Sequence, residues 1–263
     1  MEPALIQAHG LAEIWARLDR VMDPELDEPV TDMGFIEAVS ITAHGQVAVD
    51  FRLPTYWCSP NFAFLMAEDI KREVETLDWV DRATVTLHDH MAADEMNVAI
   101  NAGASFGSVF EDLHPGENLA ELREKFDQKA FQRRQEVVIK ALLAQGFTVD
   151  AIVSMTLATL ESTVLADPDA SLQQTRYLAL LAAKTLAKVP GDLALPTYQG
   201  MALTRDGFAT YMGLLRSVRI NMEFSGSLCR GLKQSRYQQA DLSGETPVLV
   251  NFVTADQPTH VCR

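Results

Sequence analysis

The sequence predicts an α+β protein, with an N-terminal αββαβ domain followed by a mostly α-helical C-terminal domain. Two observations lead to this prediction. Apolar and polar residues alternate in short segments of the first ninety residues, as in half-buried strands. After His114, Pro115 and Gly116 the chain becomes rich in Ala, Leu, Gln and Glu at helical spacing. We therefore expect domains at residues 1–114 and 115–263.

The N-terminal elements follow from their hydrophobic periods. Residues 11–21 carry apolar side chains at helical spacing and run into Asp23 and Pro24, which end the helix. Residues 35–41 and 47–53 alternate and are separated by a short segment with Gly45, so we expect an antiparallel hairpin. Residues 62–77 predict a second helix and residues 80–87 a third strand.

The C-terminal half predicts four helices and a terminal strand. Helical periods cover residues 118–145, 148–163, 171–188 and 205–222, separated by Gly146, by Asp167 and Pro168, and by residues 190–196. The last residues are polar except for 248–253, which predict an edge strand.

Composition excludes several classes of function. The formal net charge of -14 would repel a phosphate backbone, so nucleic acid is not an expected partner. No apolar stretch approaches the roughly 18 residues of a membrane span, and the first residues do not resemble a signal peptide. The odd count of three cysteines argues against a disulfide framework and fits a reducing compartment. We expect a cytoplasmic protein without a membrane partner.

The junction between the second strand and the second helix holds a candidate reactive cysteine. Ser59 suits the N-cap and Pro60 the first helical position, which places Cys58 beside the positive end of the helix dipole. Such a position favours the thiolate, the form that binds metal or attacks sulfur. The alternative is a buried, inert cysteine packed against Tyr56 and Trp57.

Three motifs around this junction resemble one known family. They are Asp23-Pro24-Glu25, then Thr31-Asp32-Met33-Gly34-Phe35-Ile36, then Leu53 with Thr55 and Cys58 at a strand end. This set, over about residues 11–88, resembles the iron-sulfur cluster assembly family that includes SufT, PaaD and the cytosolic iron-sulfur targeting subunit. Two positions depart from the family pattern: Pro54 replaces the first of two threonines, and Ser59 separates the cysteine from Pro60.

The resemblance implies a metal-centre maturation factor that is not a stand-alone enzyme. Cys58 would hold iron or an iron-sulfur cluster transiently, supported by the motif residues Thr55, Asp23, Glu25 and Asp32. The partner would be a client metalloprotein, either an iron-sulfur protein or, by analogy with PaaD-like proteins, an iron-dependent oxygenase. Self-association into a homodimer stays open. The three acidic residues have a simpler alternative role in shaping turns, and Thr55 in satisfying strand-end backbone groups.

A second group of candidate metal ligands follows the third strand. Alternation would place His88 and His90 on one face, and a turn could bring Asp94 or Glu95 alongside, a set that suits iron or zinc. In one version Cys58 shares an iron with both histidines. The alternative is an exposed polar strand end and loop.

Two further cysteines and a basic segment complete the candidates. Residues 229–236 combine Cys229 with Arg230, Lys233 and Arg236 in an otherwise acidic chain. They could dock an acidic client surface or supply a second thiol, or they could form a solvated loop after the last helix. Cys262 lies near the C-terminus and could reach other parts of the chain. Besides a maturation factor, the sequence is compatible with a scaffold that holds no metal, or with a thiol-dependent enzyme that pairs Cys58 with a histidine.

Overall fold

The computed structural model describes residues 3–42, 45–110 and 119–237. Within these residues the chain forms two compact units. The first unit contains residues 9–21, with the part of the first helix that precedes them, and residues 29–105 and 226–237. The second unit contains residues 22–28, 106–110 and 119–225. The architecture is α+β, with a helix and a mixed sheet at the N-terminus and a mostly helical region after it, which confirms the predicted fold class.

The elements of the N-terminal part appear in the predicted αββαβ order, with two short strands and one helix added. In chain order they are α1 (Pro3–Leu18), β1 (Met22–Asp23), β2 (Glu28–Pro29), β3 (Ile36–Ile41), β4 (Gln46–Arg52), α2 (Pro60–Val74), β5 (Arg82–His88) and α3 (Ala93–Ala102). The helical part contains α4 (Phe106–Phe110), α5 (Leu119–Ala144), α6 (Val149–Val153), α7 (Leu157–Ser162), α8 (Pro168–Ala183) and α9 (Arg205–Tyr237).

The main sheet has three strands in the order β3-β4-β5. Strands β3 and β4 pair antiparallel, which confirms the predicted hairpin, and Ile36 pairs with Phe51 near the end of β4. Strands β4 and β5 pair in parallel, with Arg52 opposite His88. A parallel pair needs a long connection, and α2 supplies it. The segments that follow β4 and β5 therefore leave the sheet at the same end, beside each other.

The core of the first unit follows from the alternation that the sequence shows. Along β4, Val47, Val49 and Phe51 are buried, while the residues between them are partly exposed. Helix α2 turns Phe64 and Ile70 onto the sheet, and both are almost fully buried. Burial of one large apolar side chain contributes about 1.5–3 kcal/mol, so these few residues fix the end of β4 and the start of α2 against each other.

Two asparagines of α3 close the outer edge of β5. The side-chain amide of Asn101 accepts a hydrogen bond from the N–H of Val85 at 2.9 Å and donates to its carbonyl at 2.8 Å. Asn97 makes the same two contacts with Leu87, at 2.7 and 3.0 Å. Because residues i and i+4 share a helix face and strand residues i and i+2 share an edge, the two amides take the place of a neighbouring strand.

The second unit has its own apolar core, built mainly where α5 packs against α8. Its fully buried members include Phe131, Ile139, Leu142, Tyr177 and Leu215. Gln135 lies among them with no exposed surface, and its amide donates to the Tyr177 hydroxyl at 3.0 Å and accepts from the Tyr211 hydroxyl at 2.6 Å. A buried amide with these partners meets the requirement that interior polar groups be hydrogen-bonded.

Three features of the helices differ from the sequence prediction. The single helix expected over 148–163 is two helices, because Thr156 is extended and its hydroxyl accepts from the N–H of Thr159 to begin α7. Helix α9 continues to Tyr237 instead of ending at 222, so residues 229–236 are helical and not a loop. Helices α3 and α4 occupy residues that showed no helical prediction.

Two predictions fall on residues outside those described. The domain boundary between 114 and 115 lies within residues 111–118, and the edge strand at 248–253 lies beyond 237. Both stay predictions. In the part of the chain that the structure covers, no helix is long and apolar enough to span a bilayer.

Gly45 offers a direct test of the β3 to β4 connection. Its φ is +67°, and a Cβ at this position would lie 2.5 Å from the carbonyl oxygen of Trp79. We expect Gly45→Ala to lower the free energy of unfolding by about 2 kcal/mol, from left-handed strain together with the backbone clash. Gly103→Ala is the control, because Gly103 has a φ of +71° but nothing within 4 Å of its Cβ position. Urea denaturation should show a clearly larger loss for Gly45→Ala, and equal losses would contradict the clash.

Candidate functional site

The candidate site lies in the first unit, at the sheet edge where β4 and β5 end. Residues 53–59 connect β4 to α2, and the helix begins at Pro60 with Ser59 as N-cap residue, as the sequence predicts. The Ser59 side chain does not cap the helix backbone, because its hydroxyl donates to the side-chain oxygen of Asn61 instead. Cys58 directly precedes this cap residue and is half-buried, so its sulfur is neither sealed in the core nor fully exposed.

Thr55 provides the polar neighbour of the thiol. Its hydroxyl oxygen lies 3.2 Å from Cys58 Sγ, and its carbonyl accepts a hydrogen bond from the Cys58 N–H at 3.4 Å. When the sulfur is a thiolate or a metal-bound thiolate it only accepts, so the Thr55 hydroxyl is then the donor. The structure thus brings together these two predicted residues, and the contact suits a sulfur that carries negative charge.

His90 holds the loop in place and does not contact the sulfur. Its Nε2 lies 2.7 Å from the carbonyl oxygen of Cys58, and its Nδ1 accepts from the N–H of Ala92 at 3.2 Å. A carbonyl oxygen only accepts, so the hydrogen-bond pattern assigns the proton to Nε2 and makes the ring neutral. Burial lowers the pKa of His90, an effect that the bond to Cys58 opposes and the nearby charge of Arg236 reinforces.

The predicted metal set of His88, His90, Asp94 and Glu95 is not assembled in this structure. Both ring nitrogens of His90 are engaged, and His88 Nε2 lies 2.8 Å from Asp50 Oδ1 on the neighbouring strand. Asp94 and Glu95 are exposed in the first turn of α3, where their charges favour the helix dipole. Among the described residues, no three His, Cys, Asp or Glu side chains are placed to hold a metal ion.

Asp23 and Glu25 belong to the second unit, where they form the turn between β1 and β2. The Asp23 carboxylate is buried and its Oδ1 accepts from the N–H groups of Glu25 and Leu26 at 2.9 and 3.0 Å. Burial raises the pKa of Asp23 to about 6, against the lowering effect of these two bonds. This geometry is the turn-shaping alternative for the motif aspartate. Asp32 is exposed in the first unit.

The last turns of α9 form a wall next to the Cys58 loop. Leu232, Ser235 and Arg236 line a cavity of about 290 Å³ together with the loop residues Pro54, Thr55, Tyr56 and Trp57. Arg236 Nη2 is 2.5 Å from the carboxylate of Asp89 and 3.4 Å from its carbonyl oxygen. The basic segment that the sequence indicates therefore lies in the first unit, where Arg236 bonds to Asp89, and Cys229 is half-buried in the same helix.

Sequence reasoning missed Asp89, and it did not place Arg236 of the basic segment beside the Cys58 loop. Asp89 has a φ of +54°, in the left-handed region that aspartate tolerates better than most residues, and this turn begins the segment that carries His90. Trp57, treated only as packing for the cysteine, is 73% exposed and meets Tyr56 edge to face at 5.0 Å. The sequence did hold a signal for this aromatic pair, since Tyr56 and Trp57 directly precede the cysteine. Cys262 lies outside the described residues.

Comparison with known proteins agrees with the motif. Residues 11–87, less than a third of the chain, match the model of a family described as iron-sulfur cluster assembly protein. The crystal structure of a domain of unknown function, DUF59, from Bacillus anthracis is similar over 37% of this chain and 96% of that chain. The sequence identity is 18% and the TM-score 0.31. No curated protein matches the chain.

The match of residues 11–87 to the iron-sulfur cluster assembly family confirms the resemblance that the three motifs indicate. Cys58, Thr55 and Asp32 lie within the matched range, and so do Asp23 and Glu25.

Proposed function

We propose that this protein is a maturation factor that holds iron or an iron-sulfur cluster transiently on Cys58 and passes it to a client metalloprotein. The observation that carries the proposal is the Cys58 thiol at the start of α2, half-buried and 3.2 Å from a hydroxyl group, within a domain of the iron-sulfur cluster assembly type. The metal is cargo in this proposal, and turnover of a substrate is not required.

The loop geometry supports a carrier. His90 fixes the Cys58 carbonyl, and the N–H of Met91 donates to the Tyr56 carbonyl at 2.9 Å, so two hydrogen bonds tie the loop to the segment after β5. A held loop keeps the thiol oriented without a metal bound. One sulfur supplies only part of the ligand set that iron needs, which favours transient over permanent binding. A carrier must release its cargo, so an incomplete ligand set is an advantage.

The client surface in this proposal includes Tyr56 and Trp57. Exposed aromatic residues are enriched among the residues that dominate protein interfaces, and this pair directly precedes Cys58. The client is an iron-sulfur protein or, by analogy with PaaD-like proteins, an iron-dependent oxygenase.

A scaffold that holds no metal is the second candidate. It is favoured by one observation, namely that the described residues contain no group of three potential metal ligands. In that case Tyr56 and Trp57 would still dock a partner, but Cys58 would be dispensable. A thiol-dependent enzyme has less support, because the ring of His90 contacts the Cys58 carbonyl and not its sulfur.

Anaerobic reconstitution with ferrous iron and sulfide separates the first two candidates. We expect the wild type to bind iron and to gain visible absorbance from sulfur-to-iron charge transfer. Cys58→Ser should lose most of both, because a serine hydroxyl is a poor ligand for these metals compared with thiolate. Iron per chain and the absorption spectrum are the measurements.

Cys229→Ser is the matched control, since Cys229 is also a half-buried cysteine of the first unit. It should load iron as the wild type does. Equal loading of the wild type and Cys58→Ser, or no loading of either, would contradict the carrier and favour the scaffold.

A further inference from the structure

Helix α9 carries an exposed apolar face. The face comprises Thr210 and the positions three, four and seven residues after it, and this pattern repeats until Gly231. Spacings of three and four residues place side chains on the same side of a helix. Four large apolar residues of the face are between 47% and 72% exposed, namely Leu214, Ile220, Phe224 and Leu228. A contiguous apolar patch of this kind is typical of a protein–protein contact.

This face holds no charged residue. Its positions from Thr210 to Gly231 contain no Asp, Glu, Lys or Arg, although these residues make up 22% of the chain. At 1.5 Å per residue, the uncharged face is about 33 Å long. The side of a helix that stays in water normally carries charged and polar residues. The uncharged face therefore favours burial in an assembly.

Two glycines on the uncharged face are not explained by packing within one chain. Gly213 and Gly231 lie inside α9, and among the described residues nothing comes within 4 Å of a Cβ placed at either position. Glycine weakens a helix relative to alanine, so a helix interior holds it where another group approaches closely. The nearby Ser217 hydroxyl donates to the carbonyl oxygen of Gly213 at 3.0 Å and needs no water. These positions allow a second helix to come close.

The sizes of the side chains are complementary for two antiparallel copies of α9. A two-fold axis between Ile220 and Asn221 places each of these residues opposite its own counterpart, so that isoleucine packs on isoleucine and the two amides can hydrogen-bond. The same axis places Phe224 of each copy opposite Ser217 of the other. A parallel pair would instead set phenylalanine against phenylalanine and serine against serine, which fills the space less evenly.

The ends and the flank of the uncharged face follow the same symmetry. Leu214 of each copy lies opposite Leu228 of the other, so apolar side chains also meet away from the axis. Arg216 and Glu223 flank the face on one side, and the axis brings Arg216 of one copy near Glu223 of the other. Opposite charges thus meet at the rim of the contact, which favours this register.

We propose that the uncharged face of α9 is the interface of a homodimer, in which the α9 helices of two copies pack antiparallel about an axis between Ile220 and Asn221. A second copy fits this face because the face is complementary to itself. Neither chain brings a charge into the centre of the contact, although each copy has a net charge of -14. The face lies outside residues 11–87, so the family domain does not supply this interface.

The oligomeric state of the full chain tests the interface. Sedimentation equilibrium should give the wild type twice the mass of one chain at micromolar concentration. Phe224→Asp should raise the dissociation constant roughly 100-fold or more, because each dimer loses two buried rings and gains two charges. Leu172→Asp is the matched control, since Leu172 is an exposed leucine of α8 in the same unit as Phe224. It should dimerise like the wild type.

Gly213→Leu separates loss of the interface from loss of folding. The new side chain has room within the described chain, and leucine favours a helix more than glycine does, so the helix content by circular dichroism should not fall. Dimerisation should still weaken by about ten-fold, because the leucine holds the two helices apart. Unchanged dimerisation of either Phe224→Asp or Gly213→Leu would overturn the proposal.

Cross-linking tests the direction of the two helices. In a background with Cys58, Cys229 and Cys262 replaced by serine, a mixture of Leu214→Cys and Leu228→Cys chains should form a disulfide between the two variants. Leu214→Cys alone should form none, since its two copies lie about 20 Å apart in the antiparallel pair. A disulfide in Leu214→Cys alone would show a parallel pair and overturn the proposal.

A monomeric wild type would overturn the proposal as well. If removal of residues 238–263 then allowed dimerisation, the uncharged face would belong to the C-terminal segment of the same chain. If it did not, the face would be left to a different protein.

Discussion

We expect Asp27→Asn to lower the free energy of unfolding of the second unit by about 3 kcal/mol. The Asp27 carboxylate is buried and pairs with Arg134, and Arg134 Nε donates to it at 2.8 Å. Arg133 adds a contact at 3.5 Å. The side chains of Asp27 and Arg134 are only 3% and 11% exposed, so the loss of one partner leaves a charge that water cannot fully solvate.

Asparagine is the right replacement because the backbone of Asp27 is unusual. Its φ is +54°, which asparagine also tolerates, so the change removes the charge without adding backbone strain. The control is Arg205→Gln, which breaks the ion pair with Asp150 on the surface of the same unit, where the side chains are 70% and 60% exposed. That change should cost less than about 1 kcal/mol. Urea denaturation of both variants checks the contrast, and similar midpoints would refute a buried-charge effect.

Asp23→Asn is expected to stabilise the protein at pH 7, by up to about 3 kcal/mol. Burial raises the pKa of Asp23 to about 6 from its ordinary 3.8, so the folded state binds this proton more tightly than the unfolded state does. The free energy of unfolding therefore falls as the pH rises between about 4 and 6. The size of the fall follows from about 1.4 kcal/mol for each unit by which the folded and unfolded pKa values differ. Asparagine keeps the oxygen that accepts from Glu25 and Leu26 and removes the charge.

The pH profile identifies the cause of this effect. The advantage of Asp23→Asn should be small at pH 4, grow steeply to pH 6 and level off by about pH 7, roughly one unit above the folded pKa. Asp32→Asn, a change at an exposed motif residue, should shift stability by less than about 0.5 kcal/mol at any of these pH values. Iron loading of Asp23→Asn should match the wild type if the carboxylate only shapes the turn. Loss of loading without loss of stability would show a role in metal handling.

The N-terminal fold could be predicted because its signals are local. Alternation in β4 reports which side chains face the core, and the Ser59 and Pro60 pair marks the start of α2 through backbone chemistry alone. Helix α3 gave no such signal. Its Asn97 and Asn101 are poor helix formers, and they are explained only by the edge of β5, which they cover.

The contact between Cys58 and Thr55 could be expected from the sequence, but the residues packed around them could not. The alternation that would place His88 and His90 together requires an extended Asp89, whose positive φ instead ends the strand and turns His90 toward the Cys58 carbonyl. Asp89 and Arg236 are 147 positions apart, so no local pattern could join them. The identity of a long-range partner depends on how packed elements meet, which a single sequence does not report.

The asparagine pairs on β5 also restrict how copies of this protein could associate. An exposed strand edge is a template for strand addition, through which chains form continuous sheets or aggregate. Here the N–H and carbonyl groups of Val85 and Leu87, which an incoming strand would need, are already bonded within the chain. A homodimer could therefore not form by strand addition at β5 without first releasing α3 from this edge.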